Sequence, residues 1–213
     1  MTLDTVTFLF PSVAFRRAAS RALAAELPQH EASAILERAA RRQAALVAQR
    51  KPRAWGVAFI MNYFEWSCAL YEMLRELGWS EQRAGACIES INWTIFAPVS
   101  RTNFMISRLR SPSAIVRAGW IYDVLFRTIF SWPYKRVVLP SNDAVAFDVV
   151  ACPLAALYRE QGVPELTHYA ACSLDHHMAR QWGVELTRTT TIATGHSLCD
   201  FRFKPPARAG KVD

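Results

Sequence analysis

The chain has 213 residues, 52% of them apolar, with seven Trp and a net charge of +7, which excludes a disordered class and allows a sizeable core. Charge is uneven: residues 1–140 hold 18 Lys/Arg against 10 Asp/Glu, and residues 141–213 hold 7 against 8. The most apolar windows, Trp55 to Leu74 and Trp120 to Trp132, are interrupted by Asn62, Glu65, Glu72, Asp123 and Arg127, a pattern wrong for a bilayer span.

Helical periodicity runs from Ser12 to about Arg136. Ser12 reads as the N-cap of a helix ending near Leu27-Pro28, and a second helix from about Ala32 to Arg50 stops before Pro52. Phe59, Tyr63, Trp66, Leu70, Met73 and Leu77 recur three or four apart, so Trp55 to Gly78 is predicted as a helix with one apolar stripe and a glycine stop. Another helix begins after Ser80 and breaks near Pro98, and an aromatic one spans Ser113 to Phe130.

After Pro140 the period changes. Asp143 to Ala151 alternates, with Val145, Phe147, Val149 and Ala151 on one face, and reads as a strand. A short helix from Pro153 to Glu160 ends at Gly162, and Pro164 opens another that runs to Trp182-Gly183. Glu185 to Thr194, then Gly195-His196-Ser197, then Cys199 to Phe203 read as a hairpin. The tail from Lys204 is basic and frayed. The predicted fold is α+β: a helical region, 1–140, packed on a small antiparallel sheet with a C-terminal hairpin, 141–213, in one compact unit.

Titratable chemistry concentrates in the last third, which holds His168, His176, His177 and His196. On the helix after Pro164, the spacing of His168, Cys172, Asp175 and Met178 puts them on one face or its margins, with His176 four beyond Cys172. Cysteine, carboxylate and imidazole can meet there as nucleophile and acid/base groups; the same pattern also fits a core-facing Cys and Met with Asp-His-His at the solvent edge. In the hairpin, Cys199, Phe201 and Phe203 share one face, and Asp200 and Arg202 the other, where they read as a pair. An arginine held by a carboxylate is a fixed clamp for a substrate's acidic group, or equally a structural salt bridge. Cys172, His176, His196 and Cys199 also form a conceivable metal set, but structural zinc sites favour tighter paired spacings. The glycines form no phosphate loop, so no cofactor is expected.

The stretch from Asp148 to Phe203 resembles the L-2-amino-thiazoline-4-carboxylic acid hydrolase family. The resemblance is carried by Cys152-Pro153, Gly162 through Leu166, Cys172 and Asp175, Thr189 to Gly195, and most specifically Cys199-Asp200-Phe201-Arg202-Phe203. It implies a hydrolase opening 2-amino-thiazoline-4-carboxylate to N-carbamoyl-cysteine on a route of cysteine biosynthesis. It marks Cys172, Asp175, Cys199, Asp200 and Arg202 as functional candidates, while His196 departs from the small or acidic residue expected there. Ring opening needs a base and a clamp: Asp175 with His176 or His196 to activate water or Cys172, and Arg202, oriented by Asp200, to hold the ligand's acidic group.

Two other readings remain open: a non-catalytic small-molecule sensor, and a peripheral membrane-surface protein using the basic first region through Arg38, Arg41, Arg42 and Trp132 to Arg136. A small-molecule ligand and weak membrane-surface contact are the expected partners, with no nucleic-acid motif in sight. Five irregularly spaced Cys and no visible export signal place the expected thiols in a reducing cytoplasm, with the whole chain as the mature form.

Overall fold

The computed structural model describes residues 3–50, 54–141 and 145–206, with side chains from Ser12 onward. The fold is α+β. Four long helices, α1 (Leu3–Ala24), α2 (Gln29–Gln49), α3 (Trp55–Glu76) and α4 (Glu81–Ile106), come first. A 3-10 turn, Ser107–Leu109, leads into α5 (Ala114–Thr128). The strands are β1 (Lys135–Leu139), β2 (Val145–Ala151), β3 (Glu185–Thr187) and β4 (Cys199–Lys204), with α6 (Pro153–Glu160) and α7 (Ser173–Trp182) between β2 and β3. They form one antiparallel sheet in the order β1-β2-β4-β3.

α3 is the buried axis of the helical part: its periodic stripe is covered from Tyr63 to Met73, as are Asn62, Glu65 and Ser67 on its other side, while Leu77 beyond its end is exposed. A helix apolar nearly all round must be surrounded, and α1, α2 and α4 pack against it. Burial of Glu65 is made tolerable by Arg50, 3.4 Å away. A second core lies under the sheet, where Ala118, Ile121 and Tyr122 of α5 and Ala179 and Trp182 of α7 meet Phe147, Phe201 and Phe203.

Several expectations need correction. Ser12 does not cap α1, which starts at Leu3; its hydroxyl instead accepts from Trp66 Nε1 at 3.0 Å. Pro98 lies within α4 without ending it. The lost backbone donor is outweighed by bracing from α7 on either side: Gln181 donates to the Ala97 carbonyl at 3.1 Å and Trp182 to Ser100 Oγ at 2.9 Å. The helical pattern does not reach Arg136, because Lys135–Leu139 is the edge strand β1. With Val137 and Val138 both largely exposed, that strand lacks the alternation that marks a half-buried one. The predicted strand start at Asp143 and the tail beyond residue 206 lie outside the described residues.

The segment after Pro164 is not one continuous α-helix. Residues 168–172 form a π-helical turn that continues into α7, and such a turn loosens the backbone ladder. The fully buried Asn92 donates to the Ala170 carbonyl at 3.0 Å and also bonds Ser67. Gly85 of α4 lets this turn approach: a Cβ there would lie 2.5 Å from the Tyr169 ring. α7 ends at Gly183, whose φ of +67° makes it the left-handed stop.

Candidate functional site

Asp175 projects from the first turn of α7 into the space between α5 and the β3–β4 connection. Its Oδ2 accepts from Arg188 at 2.7 Å and its Oδ1 from the Tyr122 hydroxyl at 3.3 Å. Arg188 follows β3 directly; its side chain is 3% exposed against 19% for Asp175. It also donates to the Cys172 carbonyl at 2.8 Å and lies 4.9 Å over the Phe201 ring. One guanidinium therefore ties the start of α7 to the strand core.

Burial pushes the Asp175 carboxyl up, while Arg188 pulls it down, and the net direction is upward. Burial also drives the Tyr122 hydroxyl well above its ordinary value, so it stays a donor. His176, half-buried, is lowered first by burial and then by Arg188. At neutral pH the cluster thus offers one fixed cation, one buried carboxyl and a neutral imidazole.

Three thiols surround this cluster. Cys172 is pushed up to about 12 and Cys152 to about 11, chiefly by burial, and each feels Cys199 and Asp175. Cys199 is raised as well, mainly by burial, although the Ile192 N–H donates to its sulfur at 3.2 Å. All three are free thiols. Raised values keep them protonated, whereas a nucleophilic cysteine works as its thiolate.

The hairpin differs from expectation in a way that matters. Cys199, Phe201 and Phe203 face the core as the alternation predicts, but Asp200 and Arg202 do not pair. Register sets Asp148 opposite Asp200, and two like charges across a ladder need separate partners. Arg202 takes Asp148, at 2.8 Å, and donates to the carbonyls of Phe147 and Phe201. Asp200 instead accepts the N–H groups of Thr189 and Thr190, at 2.9 and 2.6 Å, and both their hydroxyls. Captured in this way, residues 189 and 190 leave the sheet, and β3 stops at Thr187 rather than Thr194. Burial opposes ionisation of Asp200, but these four bonds hold it down to about 2.

Of the sequence candidates, Cys172, Asp175, His176 and Cys199 gather around Arg188. His196 is exposed on the turn after Gly195, and His168 is exposed where the π-helical turn begins. Among the described residues no group of three His, Cys, Asp or Glu side chains is disposed to hold a metal. His177 belongs to a different cluster, stacked on Trp93 and bonded to Glu89 at 2.6 Å. Arg188 and Tyr122 were missed by sequence reasoning. Tyr122 did carry a signal, since it continues the inward stripe of Ala118 on α5; Arg188 carried none beyond being a lone charge in a Thr-rich run.

An open cleft of about 420 Å³ reaches this region from outside, bounded by Cys152 and Pro153, by Ile192 and Ser197, and by Arg159 and Glu160 on its rim. Asp175 and Arg188 do not line it; Cys152, at the N-cap of α6, stands between the cleft and the buried pair, sensing Asp175. A second basin of about 540 Å³ lies at Arg42, Tyr71 and Glu165, where the polar groups already satisfy one another: Arg42 bonds Glu72 and Gln161, and Tyr71 bonds Glu165.

No curated protein and no solved structure matches the chain. The family model described as L-2-amino-thiazoline-4-carboxylic acid hydrolase matches residues 121–203, so the stretch holding Tyr122, the π-helical turn, Asp175, Arg188 and the hairpin is similar to that family.

Proposed function

We propose that the protein is a hydrolase that opens a small cyclic amidine or thiazoline carboxylic acid, of the 2-amino-thiazoline-4-carboxylate kind, to a carbamoyl amino acid. The observation that carries this reading is the buried Asp175–Arg188 pair beside Cys172, within the stretch matched to the hydrolase family. Addition of one water to the sp2 carbon between sulfur and nitrogen, followed by loss of the ring C–S bond, yields a urea and a free thiol. Both protons of the water leave its oxygen, one taken up by the ring nitrogen as the C=N bond becomes single and the other by the departing sulfur.

Asp175 suits both transfers, because a carboxyl raised by burial takes and returns a proton closer to neutrality than an ordinary one. Arg188 keeps the carboxylate oriented and supplies positive charge where negative charge develops. Burial keeps Cys172 a neutral thiol, so water is the attacking group. Arg202, committed to Asp148, is replaced as the ligand clamp by the cleft-rim Arg159. Asp200 acts through the loop it holds.

The test is mass spectrometry of 2-amino-thiazoline-4-carboxylate incubated with the purified chain. N-carbamoyl-cysteine from the wild type and from Cys172→Ser, but not from Asp175→Asn, is the expected result. A folded wild type that binds the compound and returns it unchanged would make the protein a sensor instead. Product formation by Asp175→Asn at the wild-type rate would remove the carboxyl from the mechanism.

A further inference from the structure

Away from the Asp175 cluster, the corner where α4 passes through Ser107–Leu109 into α5 joins two properties seldom found together on an ordinary surface. Its side chains are apolar and exposed: Leu109 is 93% exposed, and Val99, Met105 and Ile106 are each more than half exposed. Val99, Ile106 and Leu109 follow one another at seven and three residues, a single outward stripe. The corner is also purely cationic, since the 33 residues from Ser90 to Tyr122 contain four arginines and no Asp or Glu.

Arg101, Arg108 and Arg110 are exposed, and none forms an ion pair among the described residues. Several arginines elsewhere in this half do pair: Arg38 with Glu76, Arg42 with Glu72 and Arg136 with Asp123. Arg117 adds a buried observation. It is 6% exposed, lies 4.0 Å over the Phe104 ring, donates to the Phe104 carbonyl at 3.0 Å, and has a partnerless Nε. Burial, and after it the charge of Arg108, lowers its pKa.

We propose that the α4–α5 corner is a peripheral docking surface for anionic lipid, with Leu109 and Ile106 entering the headgroup boundary and Arg101, Arg108 and Arg110 meeting the phosphates. A projecting apolar residue flanked on both sides by arginine fits an interface that is apolar below and anionic above. A protein partner would have to cover a far wider area to hold. No described helix is long and apolar enough to cross a membrane, so attachment is to the surface only. This inference is independent of the hydrolase reading.

The experiment is co-sedimentation of the full chain with sucrose-loaded vesicles of phosphatidylcholine alone or mixed with phosphatidylglycerol, at low and high salt. Binding should appear on the anionic vesicles only and weaken with salt. Leu109→Glu and the double variant Arg108→Glu, Arg110→Glu should each reduce partitioning at least about tenfold, with unchanged circular dichroism. Arg41→Glu, an exposed arginine on α2, should not. Absence of binding, or equal loss with Arg41→Glu, would overturn the assignment. So would concentration-dependent self-association abolished by Leu109→Glu, which would give the face to a second copy of the chain.

Discussion

Asp200 receives the backbone N–H of Thr190 at 2.6 Å and that of Thr189 at 2.9 Å, so a carboxylate on β4 fixes the loop whose preceding residue, Arg188, neutralises Asp175. The hairpin's acidic residue thereby governs the buried pair without touching it. Because Asp200 is held down to about 2, against about 3.9 for an unfolded aspartate, its contribution to stability is complete above about pH 4 and is lost as pH falls toward 2. Asp200→Asn should cost about 1–2 kcal/mol at pH 7 and flatten stability between pH 4 and 2, as read by urea melts across that range. Unchanged acid sensitivity would dissociate Asp200 from the loop.

Arg188 is the counter-charge without which Asp175 would be a buried lone carboxylate. Arg188→Met should destabilise the fold by about 3–5 kcal/mol, the usual cost of stripping one partner from a buried pair. The Asp175 carboxyl, already raised by burial, should rise further. A carboxyl raised in the folded state favours folding at low pH, so the deficit of the variant should be greatest above the folded pKa of Asp175 and shrink as pH falls. In the proposed hydrolysis the acidic limb of kcat should move to higher pH; a limb that stays in place assigns it to another group.

Burial raises Cys172 to about 12, Cys152 to about 11 and Cys87 to about 11. Cys68 and Cys199 are raised as well. No thiol should therefore be fast-reacting near neutrality. Iodoacetamide at pH 7.5 should label the native chain far more slowly than the unfolded one, with labelling rising only above about pH 10, as followed by peptide mass spectrometry. Rapid selective labelling of Cys172 at pH 7.5 would revive covalent catalysis through that sulfur.

What the sequence made legible was periodic. The two-residue alternation of Cys199, Phe201 and Phe203 placed them in the core, and the three-four spacing from Phe59 to Leu77 placed α3, because both periods are local properties of the backbone. A glycine after Trp182 marked the end of α7, and Gly183 takes the left-handed conformation there. The partners of Asp200 and Arg202 were illegible because they depend on register: only when β2 sets Asp148 opposite Asp200 does Arg202 gain a different acid. Arg188 meets Asp175 from 13 residues away through a folded connection. The extra backbone step at residues 168–172 likewise answers to Asn92, 78 residues distant from Ala170. Interactions of that kind leave no periodic trace, so the wiring of these side chains is not legible from spacing.

Asn92 is the remaining test of how the site is held in place. Its amide donates to the Ala170 carbonyl and exchanges hydrogen bonds with Ser67, all fully buried, so removing it strands the Ala170 carbonyl away from water and leaves the Ser67 hydroxyl only the Tyr63 carbonyl, at 3.1 Å. Asn92→Leu should cost about 2–3 kcal/mol, the penalty of unsatisfied buried polar groups. Because the π-helical turn sets the rotation at which Cys172 and Asp175 enter the cluster, activity should fall more than stability explains, measured as kcat at a temperature where the variant is fully folded. The double variant Asn92→Leu, Ser67→Ala removes the buried hydroxyl that has lost its donor and should recover part of the stability. It should recover none of the activity, since the Ala170 carbonyl remains unheld; recovery of both together would mean that Asn92 serves packing alone.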